Sequence, residues 1–274
     1  MGIPYAEAIG DPIAHSKSPT IHKFWLERLG LEADYRATRV TADALADYLE
    51  TRRADPDWRG CNVTMPHKQA VMSLVDEVKD SGIGAVNCVI SVGGRLVGWN
   101  TDETGVYEAA KRRVDTDVPM CLIGAGGAAR AAIVALDLLA VYRWNVIARD
   151  PAKVEPLLDR LRMQGGAFDF DQAERALDGA AGAINASPLG MEGFAPMPET
   201  VLRGLARMRR GALVIEMVYT PLRTAFFRAA ENSGHKPSDG LTILMGQAAH
   251  AFHLFFEGLA PREHDAELRA LLTS

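Results

Sequence analysis

Cysteine is scarce in this chain: Cys61, Cys88 and Cys121 are the only three in 274 residues. They are odd in number, widely spaced and form no CxxC. That argues against a disulfide framework and for reduced thiols in a cytoplasmic protein. Each has an apolar neighbour and reads as a small core residue. Basic charge is not in excess either. Lys and Arg total 30 against 35 Asp and Glu, a formal charge of −5, which argues against a dedicated nucleic-acid binder. No apolar run is long enough to span a bilayer. The richest, from Ala131 to Tyr142, contains Asp137 and follows Arg130. The opening residues, Met1 to Glu7, have no basic stretch followed by an apolar one, and Ala6 breaks the myristoylation pattern. Neither a secretory leader nor a lipid anchor is expected. Internal repeats and low-complexity linkers are also missing.

What is present is ordinary globular composition, 48% hydrophobic and 24% charged. At about 150 residues per domain, the length allows one large domain or two small ones. Strand-like runs are expected at Tyr5–Ile9, Tyr35–Val40, Cys61–Thr64, Val86–Val92 and Arg95–Trp99. Helical periodicity is expected over Ile21–Leu29, Ala42–Arg53 and Thr104–Arg113. A second series opens with strand Pro119–Ile123 and helix Ala128–Leu139. Strand Asn145–Ala148, helix Ala152–Met163, a short strand at Ala167–Phe168 and helix Gln172–Leu177 follow. Strands Gly182–Asn185 and Ala212–Met217 complete it, and helices Leu241–Glu257 and Arg262–Leu272 close the chain. Strands alternating with helices predict parallel sheets with right-handed crossovers. The boundary signal between the two series lies near Thr101–Gly105.

The segment Leu122-Ile123-Gly124-Ala125-Gly126-Gly127-Ala128-Ala129 reads GxGxxA after an apolar strand and before a helix. In that context the glycines have mechanical roles. Gly124 permits the tight turn, Gly126 lets the backbone approach a pyrophosphate, and Ala129 allows close helix–strand packing. A dinucleotide is the expected ligand. At the end of the next strand, Ala148-Arg149-Asp150 with Lys153 bears on cofactor choice. Arg149 and Lys153 favour a 2′-phosphate and hence NADP, whereas Asp150 suits ribose hydroxyls. Asp150 also precedes Pro151, so it reads as a helix N-cap.

Ser16 and Ser18 straddle Lys17 before a helix that Pro19 opens; two hydroxyls there suit a carboxylate. Ser18 alone reads as an N-cap, and His15 is a weak acid–base candidate. In Gly60-Cys61-Asn62-Val63-Thr64-Met65-Pro66-His67-Lys68 a strand is expected to give way to a helix. That would put Lys68 in the field of a helix N-terminus and ready it for proton exchange. Asp102 offers a carboxylate at another helix start. Arg203, Arg207, Arg209 and Arg210 read as a solvated face. His250 and His253, without further ligands, suggest no metal site.

Together these segments resemble the shikimate dehydrogenase family. The resemblance lies in GDPIAHSKSPTIH (10–22), GCNVTMPHK (60–68), GAVN (84–87), NTDETG (100–105), IGAGGAAR (123–130), NASPLGM (185–191), VYTPLRT (218–224), DG (239–240) and MGQAAHAF (245–252). It implies a two-domain α/β fold with an N-terminal α/β substrate domain and a Rossmann-type dinucleotide-binding domain flanking a cleft. The substrate domain would comprise residues 1–103 and 239–274, and the NADP domain 104–238. It implies NADP-dependent, reversible reduction of 3-dehydroshikimate to shikimate in aromatic amino-acid biosynthesis. The protein would be a cytoplasmic monomer or homodimer, with no metal, nucleic-acid or membrane partner. Ser16 and Ser18 would hold the substrate carboxylate. Thr64, Asn87, Asp102, Tyr219 and Gln247 would hold the ring hydroxyls. Lys68, oriented by Asp102, would handle the proton. Gly124, Ala125, Gly126, Gly127, Ala128, Ala148, Arg149, Asp150 and Lys153 would bind the dinucleotide, with Met217 and Gly240 near the nicotinamide.

Three departures from the family pattern stand out. Ala148-Arg149-Asp150 stands where Asn-Arg-Thr is usual, which leaves NAD open beside NADP. Glu216 stands for a usual Asp, with little effect on chemistry expected. Cys88 stands for a usual Thr, a change that would remove a hydroxyl near the substrate. Ser18, where quinate-accepting relatives can carry Thr, favours shikimate. A quinate/shikimate dehydrogenase using NAD and a non-catalytic dinucleotide-binding paralogue are the alternatives; the second needs neither Lys68 nor Asp102.

Overall fold

The computed structural model describes residues 2–79, 82–111 and 115–274. They cluster into two compact units, one of residues up to Thr101 together with Gln247–Ser274, the other of Asp102–Gly246.

The first unit is built on strands β1 (Tyr5–Gly10), β2 (Asp34–Arg39), β3 (Trp58–Val63), β4 (Glu77–Val78), β5 (Cys88–Val92) and β6 (Arg95–Trp99). Helices α1 (Ser18–Leu29) and α2 (Leu45–Arg53) connect the first three strands. The sheet order is β2-β1-β3-β5-β6-β4. The expectation of a parallel sheet fails here in part. β5 runs antiparallel to both β3 and β6. For the β5–β6 pair the reason is local: Gly93 and Gly94 have φ of 58° and 80°, the double positive φ of a tight hairpin turn. Such a turn returns the chain alongside itself and leaves no room for a crossover helix. β4 is a two-residue edge strand without apolar alternation, and the sequence pattern does not predict it.

β1 is buried along its whole length although it carries Glu7, which is 1% exposed. That carboxylate accepts from Thr38 Oγ1 (2.6 Å), Tyr48 OH (2.6 Å) and Arg52 Nε (2.7 Å). Burial pushes its pKa up, but these donors outweigh burial and hold it below the ordinary range.

The second unit opens with α3 (Asp102–Ala110) and continues through β7 (Met120–Ile123), α4 (Gly127–Asp137), β8 (Arg143–Ile147), α5 (Val154–Arg160) and β9 (Gln164–Phe168). It ends with α6 (Ala173–Leu177), β10 (Gly182–Asn185), α7 (Glu199–Gly204), β11 (Leu213–Glu216) and α8 (Ala225–Asn232). All five strands are parallel, in the order β11-β10-β7-β8-β9. β7, β10 and β11 are buried at every residue, as strands covered by helices on both faces must be. The strand order reverses between β7 and β10, the position at which open α/β sheets bind ligands beyond their carboxyl ends. Helix Ala152–Met163 is shorter than expected. A 3-10 turn over Pro151–Lys153 precedes α5, and Arg162 turns left-handed at φ 56° with Met163 N donating to Leu158 O. The predicted helix over Thr104–Arg113 begins earlier, and Arg112 and Arg113 lie outside the described residues.

Helix α9 (Gly240–Phe256) belongs to the second unit as far as Gly246 and to the first from Gln247. α10 (Asp265–Thr273) then packs on α1. Among the described residues no helix is long and apolar enough to cross a membrane. All three cysteines are buried. Cys88 shares a cluster with Ala6, Ala8, Ile13, Tyr35 and Phe255, so its thiol fills core space.

A buried carboxylate ties β10 to β11. Glu216 is fully buried and accepts from Asn185 Nδ2 (2.9 Å), Val218 N (2.9 Å) and Thr224 Oγ1 (2.5 Å). Thr224 in turn caps α8 by accepting from Phe227 N at 3.1 Å. Burial outweighs these donors and raises the Glu216 pKa to about 7. The folded state therefore keeps a proton that the unfolded chain releases near pH 4.5. The stability this contributes is fully present below pH 4.5 and is lost as pH rises to about 7. Relative to Glu216→Gln, the wild type is expected to lose about 3 kcal/mol between those limits. Urea unfolding of both proteins across this range measures it; a pH-independent difference would count against the assignment.

Candidate active site

In the first unit the candidate residues lie just beyond strand ends. Ser16 and Ser18 belong to the turn between β1 and α1. Ser18 is the first helical residue, and Lys17 occupies the cap position without a side-chain cap bond. The capping role expected of Ser18 is therefore absent. Instead Ser18 N donates to Ser16 Oγ at 3.3 Å, which gathers the two residues around one point. His15 is exposed.

Thr64 follows β3, and its N–H donates to Ile9 O at 3.0 Å. Beyond it the expected helix is missing. Met65 to Gln69 form turns, and only a four-residue 3-10 segment follows, Ala70–Ser73. Lys68 thus sits in a turn, and the helix-field argument for its chemistry does not hold. The turn is nevertheless well fixed. His67, 1% exposed, makes a 2.7 Å ring-nitrogen bond to Val40 O, and Val86 N donates to Lys68 O at 2.8 Å. Sequence reasoning does not single out His67; its place beside Lys68 is the only signal.

Asn87 is 3% exposed and bonded on every side. Its N–H donates to Trp99 O (3.0 Å), and its carbonyl accepts from Val63 N (2.7 Å). Its side-chain oxygen accepts from Thr101 N at 2.6 Å, and its amide nitrogen donates to Thr101 Oγ1 at 3.1 Å. Gln247 Oε1, on α9, accepts from Thr101 Oγ1 at 3.1 Å and from Asn87 Nδ2 at 3.5 Å. The fold thus joins Asn87 and Gln247, 160 residues apart, through Thr101, whose part the sequence did not reveal. Asp102, the next residue, opens α3. Lys68 and Asp102 belong to different units.

In the second unit the glycine loop follows β7. Gly124 has φ of 109°, and a Cβ there would lie 3.1 Å from Ala186 O, just past β10. Only glycine lets the two strand ends approach so closely. Gly126 is the N-cap of α4 with no side-chain cap bond, and nothing lies within 4 Å of a Cβ built on it. Open space over backbone N–H groups at the start of an eleven-residue helix fits a pyrophosphate. Ala125, Gly127 and Ala128 complete the loop, and buried Ala148 directly follows β8.

Arg149, Asp150 and Lys153 are exposed. Asp150 occupies the cap position of the 3-10 turn but makes no side-chain cap bond. Its carboxylate instead pairs with Lys153 Nζ at 3.2 Å, which corrects the capping expectation. At the end of β11, Met217 N donates to Asn185 O at 3.1 Å, and burial raises the Tyr219 pKa. A Cβ on Gly240 would meet Val218 O at 2.4 Å, so α9 starts directly against the segment that carries Tyr219. The arginine face is paired: Arg203 and Arg207 contact Glu174, and Arg209 contacts Asp115.

Comparison with known proteins identifies relatives. Residues 8–89 match the shikimate dehydrogenase substrate binding domain. A shikimate dehydrogenase (NADP(+)) from Sphingopyxis alaskensis is 47% identical over 99% of this chain and 97% of its own. The shikimate 5-dehydrogenase of Thermus thermophilus, solved with NADP(H) and shikimate, superposes with a TM-score of 0.84 at 33% identity, covering 98% of this chain and 99% of its own. That of Listeria monocytogenes, solved with shikimate and NAD, gives 0.86 at 30% identity, covering 97% and 96%. With its glycine loop at the strand-order reversal and relatives this similar over their whole length, the chain belongs to the shikimate dehydrogenase family.

Proposed function

We propose that this chain is an NADP-dependent shikimate dehydrogenase that interconverts 3-dehydroshikimate and shikimate, a step of aromatic amino-acid biosynthesis. The observation that carries this reading is the Asn87–Thr101–Gln247 cluster. A small polyol acid needs several directional polar contacts, and buried amides and a hydroxyl held in place by bonds to one another can select a hydroxyl pattern. Leaving one buried partner unmet costs about 1–3 kcal/mol. Ser16 and Ser18 take the substrate carboxylate. Thr64, Asn87, Asp102, Tyr219 and Gln247 take the ring hydroxyls.

Lys68 Nζ gives a proton to the ketone oxygen in reduction and takes it back in oxidation. Asp102 orients that ammonium. NADP(H), when bound, supplies or accepts the hydride at the same ring carbon, so one hydride and one proton balance the reaction. The backbone of Gly124 to Ala128 holds the pyrophosphate, and Arg149 and Lys153 hold the 2′-phosphate. Ala148 lines the adenosine side, and Met217 and Gly240 line the nicotinamide side. Cys61, Cys88 and Cys121 are unpaired thiols, in keeping with a reducing cytoplasm. The first unit then serves as the substrate domain and the second as the cofactor domain; their bounds, after Thr101 and after Gly246, differ from the expected 1–103 with 239–274 and 104–238.

The Asp150–Lys153 pair favours a second reading in which NAD is also accepted. A carboxylate beside Lys153 opposes a 2′-phosphate and is itself a partner for ribose hydroxyls.

Three outcomes test these assignments. Kinetics with shikimate and quinate, each with NADP and NAD, should give the highest kcat/KM for shikimate with NADP; faster turnover with NAD would reverse the cofactor assignment. Lys68→Ala should lower kcat by about 10²-fold or more with a smaller change in shikimate KM. An unchanged kcat would remove Lys68 from proton transfer. Asp150→Ala should leave stability within about 0.5 kcal/mol, because no cap bond is lost. It should also lower the NADP KM relative to that for NAD. A large loss on thermal unfolding would restore the capping role.

A further inference from the structure

Lys17 sits between the two serines assigned to the substrate carboxylate, yet its side chain reaches elsewhere. Its Nζ donates to Leu272 O at 2.7 Å. Leu272 lies in the last turn of α10, where carbonyls have no helical partner and the helix dipole favours a cation. The backbone of Lys17 is held as well, since its carbonyl accepts from Ile21 N at 3.1 Å and so starts the hydrogen-bond ladder of α1. One residue is therefore fixed to α1 by its backbone and to α10 by its side chain.

Two more contacts keep α10 in place along the same helix. Phe24 meets the His264 ring edge-on at 6.5 Å, and Arg28 pairs with Glu267. Leu268 and Leu272 bury their side chains, which seats α10 on the unit from within. α10 therefore cannot shift without moving Lys17, and Lys17 cannot shift without moving Ser16 and Ser18, whose own contact spans it.

We propose that Lys17 and α10 form a clamp that positions Ser16 and Ser18 for the substrate carboxylate. Lys17 is a positioning residue, and α10 is a remote determinant of substrate affinity. This rests on the reading of Ser16 and Ser18 given above.

The test uses the full-length protein, Lys17→Met, Lys17→Arg, a chain ending at Leu271, and Lys17→Met in that shortened chain. Shikimate oxidation is measured with saturating NADP, and thermal unfolding is followed in parallel. Lys17→Met is expected to raise the shikimate KM about 5- to 10-fold, the scale of one lost hydrogen bond. kcat and the NADP KM should stay within about twofold. The shortened chain should show the same rise, and the combined variant no more than either alone, because both break one contact. Lys17→Arg, which can still donate to a carbonyl, should recover most of the affinity. If the shortened chain unfolds, Leu268→Ala, which loosens α10 with the Leu272 carbonyl still present, should give the same selective KM rise. A rise with Lys17→Met alone, with the α10 variants unaffected, would mean that the ammonium acts on substrate directly, and it overturns the clamp. Additive effects or unchanged KM values overturn it too. A wild type that does not oxidise shikimate defeats the functional reading itself.

Discussion

Much of the candidate site in the first unit depends on the bonding of one buried side chain, Asn87. Its backbone joins the end of β3 to the end of β6, and its amide ties Thr101 and Gln247 together. Asn62 reinforces the same point from β3 by donating to the Asn87 carbonyl at 3.3 Å. A buried amide has to satisfy donors and acceptors at once, so every partner of Asn87 is held in one place. Val86, one residue back, donates to the Lys68 carbonyl, so the turn that presents Lys68 hangs from the same segment. The side-chain amide holds Thr101 and Gln247, while the backbone of the same residue and of Val86 holds β3, β6 and that turn.

The second unit meets the same requirement with a carboxylate. Asn185 and Glu216 end adjacent parallel strands, where backbone groups run out of ladder partners. Glu216 collects N–H and O–H donors from the β10 end, from Val218 and from the cap of α8. No cation is among these partners, so the cost of burial appears as a raised pKa rather than as an ion pair. Its two oxygens serve different partners, Oε1 taking the Val218 N–H and Oε2 the Thr224 hydroxyl.

Much of the fold was legible along the chain. The strand–glycine–helix unit at Ile123–Ala128 could be read residue by residue, because each glycine answers a local steric demand. Strand β7, apolar throughout, and β10, apolar as far as Asn185, have the pattern of strands covered on both faces. The hairpin of β5 and β6 was not legible. Apolar runs of that length look alike whether they run parallel or antiparallel, and only the Gly93-Gly94 turn separates the two. The short 3-10 segment after Pro66 likewise carries the sequence pattern of a helix. A proline in a first turn marks where a helix can begin but does not ensure that one propagates.

Sequence by itself determined the types and order of the chemical groups: paired hydroxyls before α1, Lys68 after β3, Asp102 at the start of α3, and a glycine loop after β7. Those follow from local sterics and side-chain chemistry, which neighbouring residues suffice to express. Tertiary structure alone decided which groups became partners. Asn87 met Gln247 across 160 residues, and Lys17 met Leu272 across 255. Hydrogen bonds and ion pairs act over a few ångströms, and chain separation carries no information about distances that short until the chain has folded.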